Sequence, residues 1–227
     1  MTTLNFNYSE YNPKFTFKAK DPLSALSHFI GFLCSIVLSP VLLIHLSNKG
    51  ASHIEMISLG IFMLSMILLY GASASYHSFN ISEKANRVLK KLDHMSIFIL
   101  IAGSYTPILL VPMRAKYPVL AWSLFGLVWG CAIIACTLTA IDLKKYSVFS
   151  MICYLAMGWV IIIFIKPTIE VMGTGGVILL VAGGIAYTVG SILYGLGSSH
   201  KWMHSIFHLF ILAGSILHFF AIILYAL

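Results

Sequence analysis

Charge is what this sequence has least of. Asp, Glu, Lys and Arg make up 9% of its 227 residues, against roughly 25% in soluble globular domains. With 59% of the residues hydrophobic, no soluble core of this length absorbs the apolar surface, so an integral membrane protein is expected. Acidic residues are scarcer still, 7 against 14 Lys and Arg, for a net charge of +7. Membrane-flanking Lys and Arg account for that excess, and no nucleic-acid partner is expected. Cysteine is also sparse: Cys34, Cys131, Cys136 and Cys153 are scattered through apolar stretches without metal-type spacing. That excludes a disulfide framework or a thiolate cluster and leaves them as small packing residues. No uncharged apolar run ending in a small-residue cleavage site precedes the first membrane segment, so no signal peptide is expected. A clear internal repeat of the kind that marks many transporters is missing as well.

What is present is a series of charge-free windows: Pro22 to Asn48, Met56 to Ser82, His94 to Met113, Tyr117 to Ile141, Tyr146 to Ile165, Val171 to His200 and Trp202 to Leu227. Each is near or above the length of about 20 residues that crosses a bilayer as a helix. Such lengths exclude barrel strands, and the short connections leave no room for a soluble domain. The expected fold is therefore all-α, a bundle of seven transmembrane helices over residues 22–227. Residues 1–21 precede it, and Phe6, Tyr8, Tyr11, Phe15 and Phe17 with late lysines suggest a segment lying on the membrane surface.

Orientation follows from the basic residues. With the N-terminus cytoplasmic, the inside segments carry Lys14, Lys18, Lys20, Lys84, Arg87, Lys90, Lys91, Lys144, Lys145 and Lys201, and the outside loops carry Lys49, Arg114, Lys116 and Lys166. Ten against four predicts a cytoplasmic N-terminus and an outside C-terminus. The sixth window is small-sided, with Gly183, Gly184, Ala186, Gly190, Gly195 and Gly197, which favours close helix approach. Pro107 is expected to kink the third helix and free a carbonyl about a turn earlier.

With depth assigned in this way, polar residues gather in one layer. His204 and His208 stand four residues apart at the head of the last window, on one helix face, which is the geometry that lets two imidazoles share a metal ion. His77 ends the second window at the same depth, and Asp93 and His94 open the third. Ionisable groups inside such segments are rare, face the bundle interior and mark function. The plainer alternative for the histidine pair is a wet interfacial edge. Three imidazoles on a divalent ion with an open position are the pattern of catalytic zinc, whose bound water has a pKa lowered to about 7. Asp93 would then handle that water's proton, and Ser73, one turn from His77, would hydrogen-bond the water or a substrate oxygen. Asp93 could instead pair with Lys90 or Arg87 at the surface. Histidine also suits iron, and Asp93 with two histidines matches the two-histidine, one-carboxylate set of iron enzymes. His94 is expected to reach toward the interface, and His28 lies at a compatible depth to steady a ligand from behind. His218 falls ten residues beyond His208, about 15 Å along the axis and too far to share the ion. His45 and His53 fall at the outer side.

Ser73-x-x-x-His77, Leu92-Asp93-His94 followed by Ile101 to Pro107, and His204-x-x-x-His208 resemble the three signature blocks of the hemolysin III family, the bacterial branch of the progestin and adipoQ receptor superfamily. Leu26 to Gly31 is similar to that branch as well, and the likeness runs from Asp21 onward. The resemblance implies a seven-helix fold with a cytoplasmic N-terminus, opposite to G-protein-coupled receptors, in a bacterial plasma membrane. It implies zinc on His77, His204 and His208 near the cytoplasmic face, with Ser73 and Asp93 contacting the water. Eukaryotic relatives are associated with ceramide hydrolysis, whereas the names in the bacterial branch record pore-forming hemolysis or membrane-energy homeostasis. Three functions follow as expectations. One is a zinc-dependent intramembrane hydrolase of a lipid amide or ester, with membrane lipids as its partners. The others are a pore-forming protein in which the layer is a structural clip, and a sensor signalling through it.

Overall fold

The structure, a computed structural model, describes residues 19–196 and 202–227, and no strand occurs among them. Most of the surface segment expected over residues 1–21, and the Ser198 to Lys201 stretch, lie outside the described residues. Seven long helices follow one another: α1 (Pro22–Asn48), α2 (His53–Ser78), α3 (Glu83–Ile108), α4 (Pro118–Ile141), α5 (Ser147–Ile163), α6 (Ile165–Leu196) and α7 (Met203–Tyr225). All but α5 are long and apolar enough to cross a membrane. The 17 residues of α5 span about 25 Å, at the short end of what crosses.

Local chemistry sets the helix starts. Asp21 caps α1 by accepting from the Ser24 N–H, with Pro22 in the first turn, where a missing N–H costs nothing. A capping box between Ser52 and Glu55 opens α2, and Ser82 caps α3. Helix α3 carries Pro107 without ending there. It leaves α geometry just beyond, in a π-helical segment Leu109–Met113 that contains Pro112, where a widened turn absorbs a residue that cannot donate to the ladder. Helix α6 is broken at Gly173, whose φ of 69° belongs to the left-handed region that favours glycine. The piece before the break carries Glu170, which takes a 2.6 Å bond from Lys116 Nζ and another from the Tyr117 hydroxyl. Those bonds staple the ends of three helices at the face opposite the start of α1.

Outward-facing Val37, Val41, Ile44, Ile133 and Ile178 are more than half exposed, as befits helices whose outer solvent is lipid. The interior forms two apolar clusters. One, with Phe62, Met63, Tyr70 and Ile222, joins α2 to α7, and the other, with Phe98, Leu124, Val128 and Met157, joins α3, α4 and α5. The small side of α6 does bring a neighbour close. The His218 ring lies where a Cβ on Gly183 would be, and the Tyr187 ring lies 2.8 Å from where a Cβ on Gly214 would be. Small residues thus let α6 and α7 interleave their rings. Residues of both clusters line one cavity of about 1100 Å³, open at the end of the bundle where α1 begins.

Candidate metal centre

Two helix ends and one linker build the centre. Helix α2 finishes with Ser73 and His77 on one face, and α7 opens with His204 and His208 on another. The residues ahead of α1 tie them together. Lys20 donates its backbone N–H to the His77 carbonyl at 2.9 Å, and the Ser205 hydroxyl donates to Asp21 Oδ1 at 3.1 Å. Asp21 also accepts from the Ser24 hydroxyl at 2.6 Å. Burial pushes the Asp21 carboxyl up, but the hydrogen bonds from Ser24 and Ser205 outweigh it and hold the group below the usual carboxylate range.

The three expected ligands meet. His77, His204 and His208 each offer a ring nitrogen, and the three atoms lie within 4.8 Å of one another. The Nε2 atoms of His204 and His208 are 3.1 Å apart. In a tetrahedral site with metal–nitrogen bonds of about 2.05 Å, neighbouring ligand atoms sit about 3.3 Å apart. The His204–His208 pair already has that spacing, and the separations to His77, at most 4.8 Å, would close by up to about 1.5 Å to hold one ion. The donor chemistry fits as well: His77 Nε2 is buried and has no hydrogen-bond partner, a state that costs free energy unless something occupies the space it faces.

His208 is held on its other side. Its Nδ1 lies 3.0 Å from His28 Nε2, and the His28 ring, only 2% exposed, sits edge-on against Tyr70 with centroids 5.0 Å apart. The expectation that His28 stands behind a ligand thus acquires a specific partner. The Ser73 hydroxyl is buried without a hydrogen bond of normal length, and Asp93, whose side chain is 14% exposed, stands close enough to interact with it. Arg87 makes its ion pair with Glu83 at 3.6 Å, and no ion pair joins Asp93 to Lys90 or Arg87 among the described residues.

His94 stands near the start of α3 with its side chain 20% exposed. Its Nδ1 lies 2.9 Å from the Lys90 carbonyl and 3.7 Å from Asp93 Oδ2, and its ring lines the cavity opposite Tyr194. His218 is away from the triad, with Nε2 3.1 Å from the Leu180 carbonyl and its ring against Tyr187. His45 and His53 lie at the far ends of α1 and α2. Sequence reasoning missed Asp21. Asp21-Pro22 with Ser24 three residues on reads as a helix start, but nothing along the chain points to Ser205.

The chain matches the family model described as Haemolysin-III related over residues 17–219. It is 36% identical over 211 residues to the Hemolysin-3 of Bacillus cereus, a span covering 93% of this chain and 94% of that protein. The Hemolysin-3 homolog of Bacillus subtilis (strain 168) is also 36% identical over 211 residues, covering 93% of this chain and 96% of that protein. The human Monocyte to macrophage differentiation factor is 26% identical over 175 residues, 74% of this chain and 70% of that protein.

Proposed function

The chain belongs to the haemolysin-III-related family, and from that premise we propose that this multi-pass membrane protein holds a zinc ion on His77, His204 and His208 and hydrolyses an amide or ester bond of a membrane lipid. One observation carries the reading: three imidazole nitrogens converge within 4.8 Å on the wall of a cavity of about 1100 Å³ that Ser73 and Asp93 also line. The ion, when bound, supplies Lewis acidity to polarise a carbonyl and to make water nucleophilic near neutral pH.

The protein's own groups do the rest. Three neutral imidazoles bind without cancelling the ion's charge, and His28 keeps the His208 ring aimed at its neighbours. Asp93 is the group placed to take a proton and return it to a leaving amine or alkoxide, because a carboxylate beside His94 sits within the same polar layer. The Ser73 hydroxyl orients an oxygen of the substrate or the attacking water. Deeper walls of Leu100, Ile108, Leu180 and Ile211 accept an acyl chain and exclude bulk water. Among the described residues the charged side chains lie near helix ends or in the first half of α3, up to Asp93, and leave the middle of the bundle apolar, which favours this reading over a conducting path. The excess of Lys and Arg at the end where α1 begins supports a cytoplasmic position for that end.

The test pairs metal content with turnover on one preparation of Asp93→Asn. Asn fills the same volume and keeps one oxygen, so metal per chain and melting behaviour should stay near wild type. Hydrolysis of a lipid amide or ester should fall by about 10²–10⁴-fold, the usual contribution of a general base. Unchanged turnover removes Asp93 from the chemistry. A wild-type protein that is loaded with metal yet inert across a broad lipid panel reduces the centre to a structural clip.

A further inference from the structure

The mouth of the cavity is built from cations. Lys20 ahead of α1, Lys90 and Lys91 of α3, and Lys144 of the α4–α5 connection line it, as does Arg87, and the acidic side chains beside them are Asp93 and Asp142. Several of these charges are already engaged. Arg87 pairs with Glu83, Lys91 donates to the Ala140 carbonyl at 2.6 Å, and Lys20 Nζ rests 4.9 Å from the centroid of the Tyr76 ring. Asp142 accepts from the backbone N–H groups of Lys144 and Lys145, both at 3.0 Å. The ammonium groups of Lys90 and Lys144 have neither an ion pair nor a hydrogen bond among the described residues. Lys90 stands one turn ahead of Asp93, about 4.5 Å along the helix axis, and lines the same cavity. Membrane orientation needs only a count of Lys and Arg at one end, and their convergence from separate elements on a single opening is a further fact. Like charges brought together beside an apolar chamber are balanced by an anion.

We propose that the cavity selects an amphiphile with an anionic headgroup, its phosphate or carboxylate held between Lys90 and Lys144 and its acyl chain in the apolar chamber. A lysine ammonium binds such a group as a point charge without demanding fixed geometry. The linkage between headgroup and chain then passes the histidine triad. This deepens the proposed function and rests on the part of it that admits a lipid, and it is independent of whether the lipid is cleaved.

The experiment measures binding to the full, metal-loaded chain in zwitterionic detergent, with three probes: mono-acyl phosphatidylglycerol, mono-acyl phosphatidylcholine of the same chain length, and glycerol phosphate without a chain. The anionic lipid should bind on the order of tenfold more tightly than the zwitterionic one, as two lysines lining one cavity warrant, with the ratio shrinking as salt rises. Glycerol phosphate should bind far more weakly than either lipid. The double variant Lys90→Gln/Lys144→Gln should lose the preference while keeping its affinity for the phosphatidylcholine probe, which also shows that it is folded. Equal affinity for the two headgroups overturns the proposal, as does a preference that survives in the double variant. Glycerol phosphate binding as tightly as the anionic lipid assigns the lysines to a free phosphate ester and overturns the lipid assignment. Product release is read separately on the same samples. A headgroup preference without any cleavage refutes the hydrolytic reading and leaves this one standing.

Discussion

Replacing His28 with Leu should weaken metal binding while leaving the helices in place. His28 presents Nε2 to His208 Nδ1 at 3.0 Å and to the His208 carbonyl at 3.4 Å. The opposite nitrogen of His208 faces His204. That arrangement lets His28 choose which nitrogen of His208 carries the proton and which is free to bind, and it fixes the plane of the ring. Losing such a partner typically reduces metal affinity by about 10–100-fold, equivalent to about 1.4–2.7 kcal/mol. Leu fills most of the buried space and continues to pack against Tyr70, so the fold should tolerate it. The assay is competition with a chelator of known zinc affinity, followed by melting curves with and without excess zinc. Because bound metal stabilises only the folded state, the zinc-dependent gain in stability should shrink by the same amount as the binding free energy. His28→Gln, which retains a hydrogen-bonding end, should recover part of the loss. A chelator competition curve that overlays the wild type would refute the reasoning. So would a drop in melting temperature of equal size with and without zinc, which would make His28 a packing residue alone.

Other outcomes follow from the same geometry. His77→Ala and His204→Ala should each lose most of the metal, whereas His218→Ala, hydrogen-bonded near Leu180 and away from the triad, should retain it; metal per chain measured on purified protein decides. Asp21→Asn should lower the melting temperature of the metal-free protein at pH 7. The folded Asp21 carboxyl titrates below its ordinary value, so its stabilisation is fully present above the unfolded pKa of about 3.9 and is lost as pH falls through the folded value. The gap between wild type and Asp21→Asn should therefore close in strong acid, and a constant gap would show that the carboxylate's charge is irrelevant. A reporter fused after Leu227 should read outside, and one inserted between Glu83 and Lys91 should read inside. The reverse pattern would move the histidine layer to the outer face.

The number of helices, their approximate limits and the layer of polar residues were legible along the chain, because hydropathy adds up residue by residue and a bilayer asks only for length. Depth was legible for the same reason. At a fixed rise per residue, His77, Asp93, His204 and His208 fall at one level and His218 about 15 Å deeper than His208. Rotation about each helix axis and distance between helices are different quantities, decided by packing of the whole bundle. Only the tertiary structure set His28 against His208, turned His94 into the cavity, and carried Asp21 across to Ser205. It likewise decided that α6 breaks at Gly173 and that the departure from α geometry in α3 falls beyond Pro107. The basic residues were countable from the start, but their meeting around one opening depends on three elements that are far apart in sequence. Local composition determines which residues can lie at a given depth, and the packing of helix on helix determines which of them touch.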